Sequence, residues 1–350
     1  SRVISYLLAT TGAPIDLPRM QQRTVRVLAA AQVLGGIGVA SGIAVGALLA
    51  ADLGTVSLSG LASASSVIGA ALIALPVARL MDTRGRRLGL LLAYAVGVTG
   101  ALVTIFGAMV GIFSVALVGL VLTGGGTAAG LQSRYAATDL AAPERRGRAL
   151  GTVVWATTVG SVVGPNLVQP MGDLAIGIGV PRLAGPYMLT VVAFAAAATM
   201  IGVFLRPDPL LVARGETARL SGTFDVLPRP ARSLRASLSD IIRAPSAAVG
   251  LLAMAGGHAV MIGVMSMTPV HLQHGGASLG IIGLVISGHI SGMYIASPLV
   301  GVLSDRFGRR LVIVGGALIL LAAVGIAGTA SEHDSTRIAA GLFLLGLGWS

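Results

Sequence analysis

The chain has 350 residues, of which 55% are hydrophobic and 11% charged, and its mean hydropathy is +0.89. Soluble domains carry about 25% charged residues, so this composition excludes an ordinary soluble enzyme or a disordered chain and indicates an integral membrane protein. The net charge of +11 would suit a nucleic-acid binder, but the arginines cluster in short segments between apolar stretches. The sequence has no cysteine, which excludes disulfides and thiolate metal sites.

Nine apolar stretches are long enough to cross the hydrocarbon core, which takes a helix of about 20 residues. They are Val27–Ala50, Leu58–Ala78, Leu88–Gly111, Ile112–Tyr135, Leu150–Met171, Ala184–Leu205, Ala247–Met267, Leu279–Leu303 and Leu311–Ala330. A tenth begins near Ile338 and is still apolar at Ser350. The sequence therefore predicts an all-α integral membrane protein, and we expect it to belong to a longer chain with further spans.

The distribution of arginine predicts the orientation, because positively charged short loops stay on the cytoplasmic side. Arginines precede the first span and fill the loops after the second, fourth, sixth and eighth spans, whereas the alternate loops contain only Arg182 and Arg337 as basic residues. We therefore expect a multi-pass protein of the plasma membrane with a cytoplasmic amino terminus.

One long hydrophilic segment divides the chain. Residues 206–245 are rich in Pro, Arg and Ser and contain no long apolar run, which predicts a cytoplasmic linker with a short amphipathic helix near Ser233–Ile242. The predicted domains are an amino-terminal bundle of six spans in residues 1–205, this linker, and a carboxy-terminal bundle of at least four spans in residues 246–350.

A ten-residue loop sequence occurs twice. Ala78–Arg87 reads ARLMDTRGRR and Gly301–Arg310 reads GVLSDRFGRR, with the aspartates 223 positions apart and each copy after the second span of its half. The glycine allows a tight turn, and the arginines anchor the cytoplasmic surface. We expect these loops to act as a gate through contacts of Asp with arginines and helix ends; a basic turn without a further role is the alternative. The candidate residues are Asp82, Gly85, Arg86, Arg87, Asp305, Arg306, Gly308, Arg309 and Arg310.

With this repeat, the chain resembles the major facilitator superfamily of secondary transporters. The second copy matches the family signature, whereas the first departs from it at Ala78 and Thr83. The resemblance covers the whole chain and implies two pseudo-symmetric bundles, with twelve spans in the intact protein. It also implies that a small-molecule substrate binds in a cavity near the middle of the membrane, which opens alternately to the two sides. Transport of this kind needs no cofactor and takes its energy from a proton gradient. We expect a protein that functions as a monomer and is not an enzyme.

Two further segments bear on direction and coupling. Gly160, Gly164 and Pro165 form a GxxxGP sequence in the fifth span, which resembles a motif of proton-antiporting exporters, although close helix packing also explains it. Asp139 and the following PERRGRALG resemble the family's loop between helices 4 and 5. The arginine usual in helix 4 of drug/proton antiporters is absent near Leu120. Arg134, at the cytoplasmic end of the fourth span and close before Asp139, is predicted to pair with Asp82 or Asp139 in the gate, or else to extend to the interface as a snorkelling side chain.

Few ionisable side chains lie within the predicted spans. Ionisable residues there are functional candidates by default, and His258 and His289, near the middle of their spans, could carry protons. Gln32, Gln132, Asn166 and Tyr294 are candidates for lining the cavity, whereas Gln169 is expected to make an interhelical hydrogen bond. Without a carboxylate in the spans, neutral, amphipathic and anionic substrates all remain open.

Three functional interpretations follow. Proton-coupled export of a small organic compound is the leading one, and uptake or facilitated diffusion of a metabolite by the same fold is the second. The third is a membrane sensor or scaffold that does not transport. Lysine is absent, so the sequence contains no GxxxxGK[ST] phosphate-binding loop, and we do not expect ATP to drive transport directly.

Overall fold

A computed structural model describes residues 16–142, 145–221, 234–296, 299–300, 303 and 306–350. Its helices are α1 Leu17–Leu53, α2 Ser59–Arg84, α3 Arg86–Val110, α4 Phe113–Ala136, α5 Arg146–Asn166, α6 Val168–Gly177, α7 Gly185–Phe204, α8 Pro209–Ser221, α9 Leu234–Arg243, α10 Pro245–His274, α11 Leu279–Ile295, α12 Arg309–Gly328 and α13 Ser335–Trp349. No strand occurs among these described residues. The all-α prediction is confirmed.

Seven of the helices are long and apolar enough to cross a membrane, judged by length and composition alone. They correspond to α1–α4, α7, α10 and α12, while α11 and α13 are shorter apolar helices. Each of the ten predicted apolar stretches overlaps a described helix, and positions 297, 298, 301 and 302 of the eighth stretch lie outside the described residues. The fifth is interrupted, because α5, which contains Pro165 near its end, stops at Asn166 and α6 begins at Val168. The predicted linker helix is present as α9, and the linker also contains α8, which we did not predict.

Side-chain caps and glycine turns set the helix boundaries. Asp16 accepts a hydrogen bond from the backbone N–H of Arg19 at the start of α1, and Ser278 accepts one from Ile281 at the start of α11. These side chains satisfy amide groups that have no partner within the helix. Between α2 and α3 the backbone turns at Gly85, whose φ of 93° is a conformation that side chains disfavour.

The first half, α1–α7, is packed around small residues. Gly124, Gly125 and Gly126 of α4 face three different helices: a Cβ on them would collide with Ala70 of α2, the Ala93 carbonyl of α3 and the Phe194 ring of α7, respectively. Close backbone approach of this kind is how helices associate in a bilayer. These three glycines of α4 therefore serve close helix packing.

In the second half, α10–α13, both α11 and α12 pack against α13.

The helix termini and loops at the two ends of the molecule differ in charge. Those of one end, the arginine end, contain Arg86, Arg148 and Arg309, and those of the opposite end contain Asp52, Asp173 and Asp334.

The two halves join toward the opposite end. A buried apolar cluster there combines Leu48 and Val168 of the first half with Leu272 and Ile282 of the second. Gly283 of α11 lies directly against the backbone carbonyl of Pro165, where no Cβ would fit.

Candidate functional site

A cavity of about 180 Å³ lies between the two halves. Helices α1, α4 and α5 form one wall, and α10 and α11 form the other. The residues that line it are Gln32, Gly35, Gly36, Val39, Ala40, Ile43, Gly126, Thr127, Gly130, Leu131, Arg134, Thr157, Ser161, Met261, Met265, Ile290, Met293 and Tyr294. Because both halves contribute, any relative motion of the halves changes the shape of this cavity.

Gln32 lies in the cavity wall, as predicted. Its side chain is 4% exposed, and its Oε1 has no hydrogen-bond partner. It rests against Gly130 of α4, where an added Cβ would come within 2.8 Å of the Gln32 Nε2 atom. Gly130 thus makes the space that the amide occupies.

Arg134 lies one helical turn beyond Gly130 and also lines the cavity. The predicted pairing of Arg134 with Asp82 or Asp139 is wrong, because Arg86 binds Asp139 and Arg214 contacts Asp82. Its Nε is buried without a hydrogen-bond partner. Arg134 is therefore a cationic group of the cavity wall.

The wall from the second half is mainly apolar. Met261 and Met265 of α10 and Ile290 and Met293 of α11 face the cavity, and Tyr294 adds an aromatic ring with a hydroxyl. Methionine side chains are flexible and polarisable, so such a wall adapts to apolar ligands of different shapes. The placement of Tyr294 agrees with its prediction.

Two other predicted polar candidates lie away from this cavity. Gln132 is not among its lining residues. Asn166 donates to the Ser287 hydroxyl at 2.8 Å and to the Val162 carbonyl at 2.7 Å, which connects α5 with α11. Gln169 accepts a hydrogen bond from the Gly280 backbone N–H at 2.8 Å, as expected for an interhelical contact.

Both histidine candidates pack within the second half and outside the cavity lining. His289 is completely buried, and its Nδ1 lies 2.8 Å from the Leu342 carbonyl oxygen of α13. A carbonyl only accepts, so Nδ1 carries the proton, and Nε2 is left without a hydrogen-bond partner. His258 accepts a hydrogen bond at Nδ1 from the Trp349 indole N–H. Both rings therefore contact α13.

The repeated loop of the first half contains a bidentate ion pair. Arg86 donates from Nε and Nη2 to the two carboxylate oxygens of Asp139, at 2.8 and 3.1 Å. The side chains are only 15% and 10% exposed. Burial raises the pKa of the Asp139 carboxyl above its ordinary value, and the contacts with Arg86 oppose that rise. Two predicted gate residues are thus joined across 53 positions of sequence.

Asp208, which sequence analysis did not single out, connects the same loop to the linker. Its carboxylate accepts from the backbone N–H of Arg87 at 2.7 Å and caps α8 through Leu210 at 3.1 Å. A Cβ at Gly85 would lie only 2.5 Å from this carboxylate. The DP dipeptide before α8 was the available signal, because Asp is a preferred helix N-cap and Pro a preferred first residue.

Arg214 of α8 gives a second connection to the loop. It donates to the Asp82 backbone carbonyl at 2.5 Å, and its Nη2 lies 3.7 Å from the Asp82 carboxylate. The linker therefore begins as a helix docked on the first half.

The second copy of the loop is only partly described, and its Asp305 lies outside the described residues. Gly308 has a φ of 84°, which matches the turn at Gly85. Arg306, Arg309 and Arg310 are exposed.

The GxxxGP sequence packs α5 against α1. A Cβ at Gly160 would collide with the Val33 carbonyl of α1, and one at Gly164 would lie 2.6 Å from the Ile37 carbonyl. The packing interpretation of this motif therefore has direct structural support.

Comparison with known proteins agrees with this architecture. The family model described as Major Facilitator Superfamily matches residues 27–350. The chain belongs to the major facilitator superfamily. It is a multi-pass membrane protein of a family of transporters, not of enzymes.

Two relatives and one solved structure illustrate the similarity. The chain is 40% identical over 354 residues to the "Uncharacterized MFS-type transporter YdeG" of Bacillus subtilis (strain 168), covering 100% of this chain and 81% of the relative. It is 28% identical over 335 residues to the riboflavin transporter RfnT of Brucella anthropi, covering 94% and 78%. The crystal structure of a D-xylose-proton symporter shares the fold, with a TM-score of 0.66, 15% identity and coverage of 93% and 80%.

Proposed function

We propose that this transporter of the major facilitator superfamily exports a small organic solute in exchange for protons. The observation that supports it best is the cavity between the halves, which has walls from both and is bounded by a packed junction toward the opposite end. Rocking of the halves would expose such a cavity first to one side and then to the other. With the amino terminus in the cytoplasm, the described conformation is the one that loads solute from inside.

The coupling is proposed to run through the histidines of the second half. His258 and His289 are the ionisable side chains within the predicted spans whose ordinary pKa lies near neutrality, and both contact α13. Proton binding at His289 would add a charge to a closed apolar site, which favours rearrangement of α11 against α13. Export as the direction rests on the resemblance of the GxxxGP motif to that of antiporters.

Uptake or facilitated diffusion by the same fold is the second candidate. The RfnT relative is named a riboflavin transporter, so riboflavin is included as a neutral test compound. A sensor or scaffold without flux is the third candidate.

Everted plasma-membrane vesicles with the protein, acidified inside and loaded with a pH-sensitive dye, test these alternatives. Proton-coupled export predicts that adding a transported compound restores dye fluorescence and that vector-only vesicles do not respond. Flux without dye recovery would instead favour the facilitator, and no flux of any compound would favour the sensor. His289→Ala should abolish dye recovery, while replacing the exposed His274 by Ala should leave it intact.

A further inference from the structure

The strongest unassigned feature of the cavity is a cationic group without a counter-charge. No acidic side chain of the described residues lies within ion-pair distance of Arg134, and the residues lining the cavity include neither Asp nor Glu. Arg86, which is also partly buried, is neutralised by Asp139. A partly buried cation without a counter-charge is costly, and a bound anion would remove that cost.

A second group with free hydrogen-bonding capacity adjoins Arg134. The Gln32 amide is almost fully buried, has an unpartnered Oε1 and packs on Gly130, one turn from Arg134 on the same face of α4. A side-chain amide has two N–H donors on the atom beside Oε1. Toward a carboxylate, the guanidinium of Arg134 supplies the charged donors, and Gln32 would contribute the N–H groups of Nε2 with its acceptor Oε1 turned away.

The facing wall has a different chemistry. Met261, Met265 and Met293 present thioethers, and Ile290 adds an aliphatic surface. These groups suit an apolar body, and the polar group that this wall adds is the neutral hydroxyl of Tyr294. A ligand that satisfies both walls therefore carries an anionic head and an apolar remainder.

We infer that the cavity selects amphipathic organic anions, whose carboxylate is bound by Arg134 and Gln32 and whose apolar body lies against the methionines of α10 and α11. This inference rests on the proposed function, since it names the substrate class of the same cavity. It also separates two roles for Arg134. As the basic residue of the last turn of α4 it would stabilise the helix carboxyl end without any ligand, whereas as a binding residue it discriminates between ligands.

Three probes with one carbon skeleton test the inference: phenylbutyrate as the anion, phenylbutanamide as its neutral counterpart and phenylbutylammonium as the cation. Binding of radiolabelled phenylbutyrate to the purified full-length protein in detergent is measured, with the other two as competitors. We expect the anion to bind at least about tenfold more tightly than the amide, as for a hydrogen bond to a charged group.

Variants place this preference in the cavity. Arg134→Gln should abolish the preference for the anion while amide binding persists, which shows that the protein is still folded. Arg134→Lys should retain a reduced preference, because the charge remains without the bidentate geometry. Arg148→Gln, which removes an exposed arginine at the same end, should retain the full preference.

Equal binding of anion and amide by the wild type, no binding of phenylbutyrate, or an unchanged preference in Arg134→Gln would each overturn the inference. Binding is measured without a gradient. Anion-selective binding in a protein that shows no proton-coupled flux would therefore refute the export proposal and leave the cavity's selectivity standing.

Discussion

The two ends of the molecule hold their helices together by different kinds of contact. At the opposite end, the halves are in direct contact: the backbone of Gly283 lies against the backbone of Pro165, and the Gly280 N–H donates a hydrogen bond to the Gln169 side chain. At the arginine end, the described ion pairs lie within the first half and its linker, as in the Arg86–Asp139 pair and the Arg214–Asp82 contact.

This difference shows how one junction can be firm while the other side of the cavity stays open. At the close-packed junction, the helix backbones leave no room for even one added methyl group. A displacement of one helix therefore loses the contact entirely. The ion pairs at the arginine end lie within the first half and its linker, so separating the halves there breaks none of them. We expect the following substitutions to affect the two ends differently.

The largest effect is expected from leaving the Asp139 carboxylate without its partner. Arg86→Gln should lower the free energy of unfolding by about 3 kcal/mol, because a mostly buried charge becomes unpaired. Denaturant unfolding of the purified protein in micelles measures it. Arg182→Gln is the control, since its pair with Asp173 is about half exposed and should contribute under about 1 kcal/mol. Equal losses would show that the arginine-end pair is only a surface contact.

The next largest effect is expected at the packed junction. Gly283→Ala places a methyl group against the Pro165 carbonyl and should cost about 2 kcal/mol in the described conformation. The chain has no cysteine, so Val285→Cys, in the cluster shared by the halves, is a clean probe. When Gly283→Ala is added to the Val285→Cys protein, labelling of this cysteine by a water-soluble maleimide should accelerate at least about tenfold. Gly288→Ala has open space around the new Cβ, and acceleration there too would refute a specific contact.

A smaller, local effect is expected at the linker. Asp208→Ala removes the cap of α8 and the acceptor for Arg87 N–H, and should increase amide exchange at Leu210 by the equivalent of about 1 kcal/mol. Asp334→Ala removes a cap that serves only its own helix, α13. The increase in amide exchange caused by Asp334→Ala should stay within the first turn of α13. Asp208→Ala should, in addition, increase exchange of the Arg87 backbone amide. Unchanged protection of Arg87 would contradict the proposed docking of the linker.

The smallest effect is a pH dependence. Burial raises the pKa of Asp139, so between its ordinary and raised values the folded protein binds a proton that the unfolded chain releases. The contribution of this carboxyl to stability is therefore greatest below the ordinary pKa and falls as the pH rises through the raised one. Unfolding free energies between about pH 4 and 7 should show this downward component in the wild type and lack it in Asp139→Asn. Identical pH profiles would rule it out.

The sequence was sufficient for features that depend on neighbouring residues. The spans follow from the lengths of apolar stretches, and the turns at Gly85 and Gly308 follow from the repeated loop. The packing role of Gly160 and Gly164 was also an available interpretation.

Contacts between distant residues were not accessible in this way. Arg86 and Asp139 are separated by 53 positions and Arg87 and Asp208 by 121, and their meeting depends on how helices pack. Arg134 was assigned to the gate because Asp139 lies near it in the sequence, whereas the rotation of α4 turns it into the cavity. Gln132, two residues earlier, lies outside the lining for the same reason.

The glycine run of α4 has a consequence for how the molecule can move. Gly124, Gly125 and Gly126 hold α4 against α2, α3 and α7 at distances that admit no added carbon atom. A helix locked on three sides cannot slide or rotate without breaking all three contacts together. The first half should therefore move as one rigid unit, with its deformation confined to the surfaces that it shares with the second half.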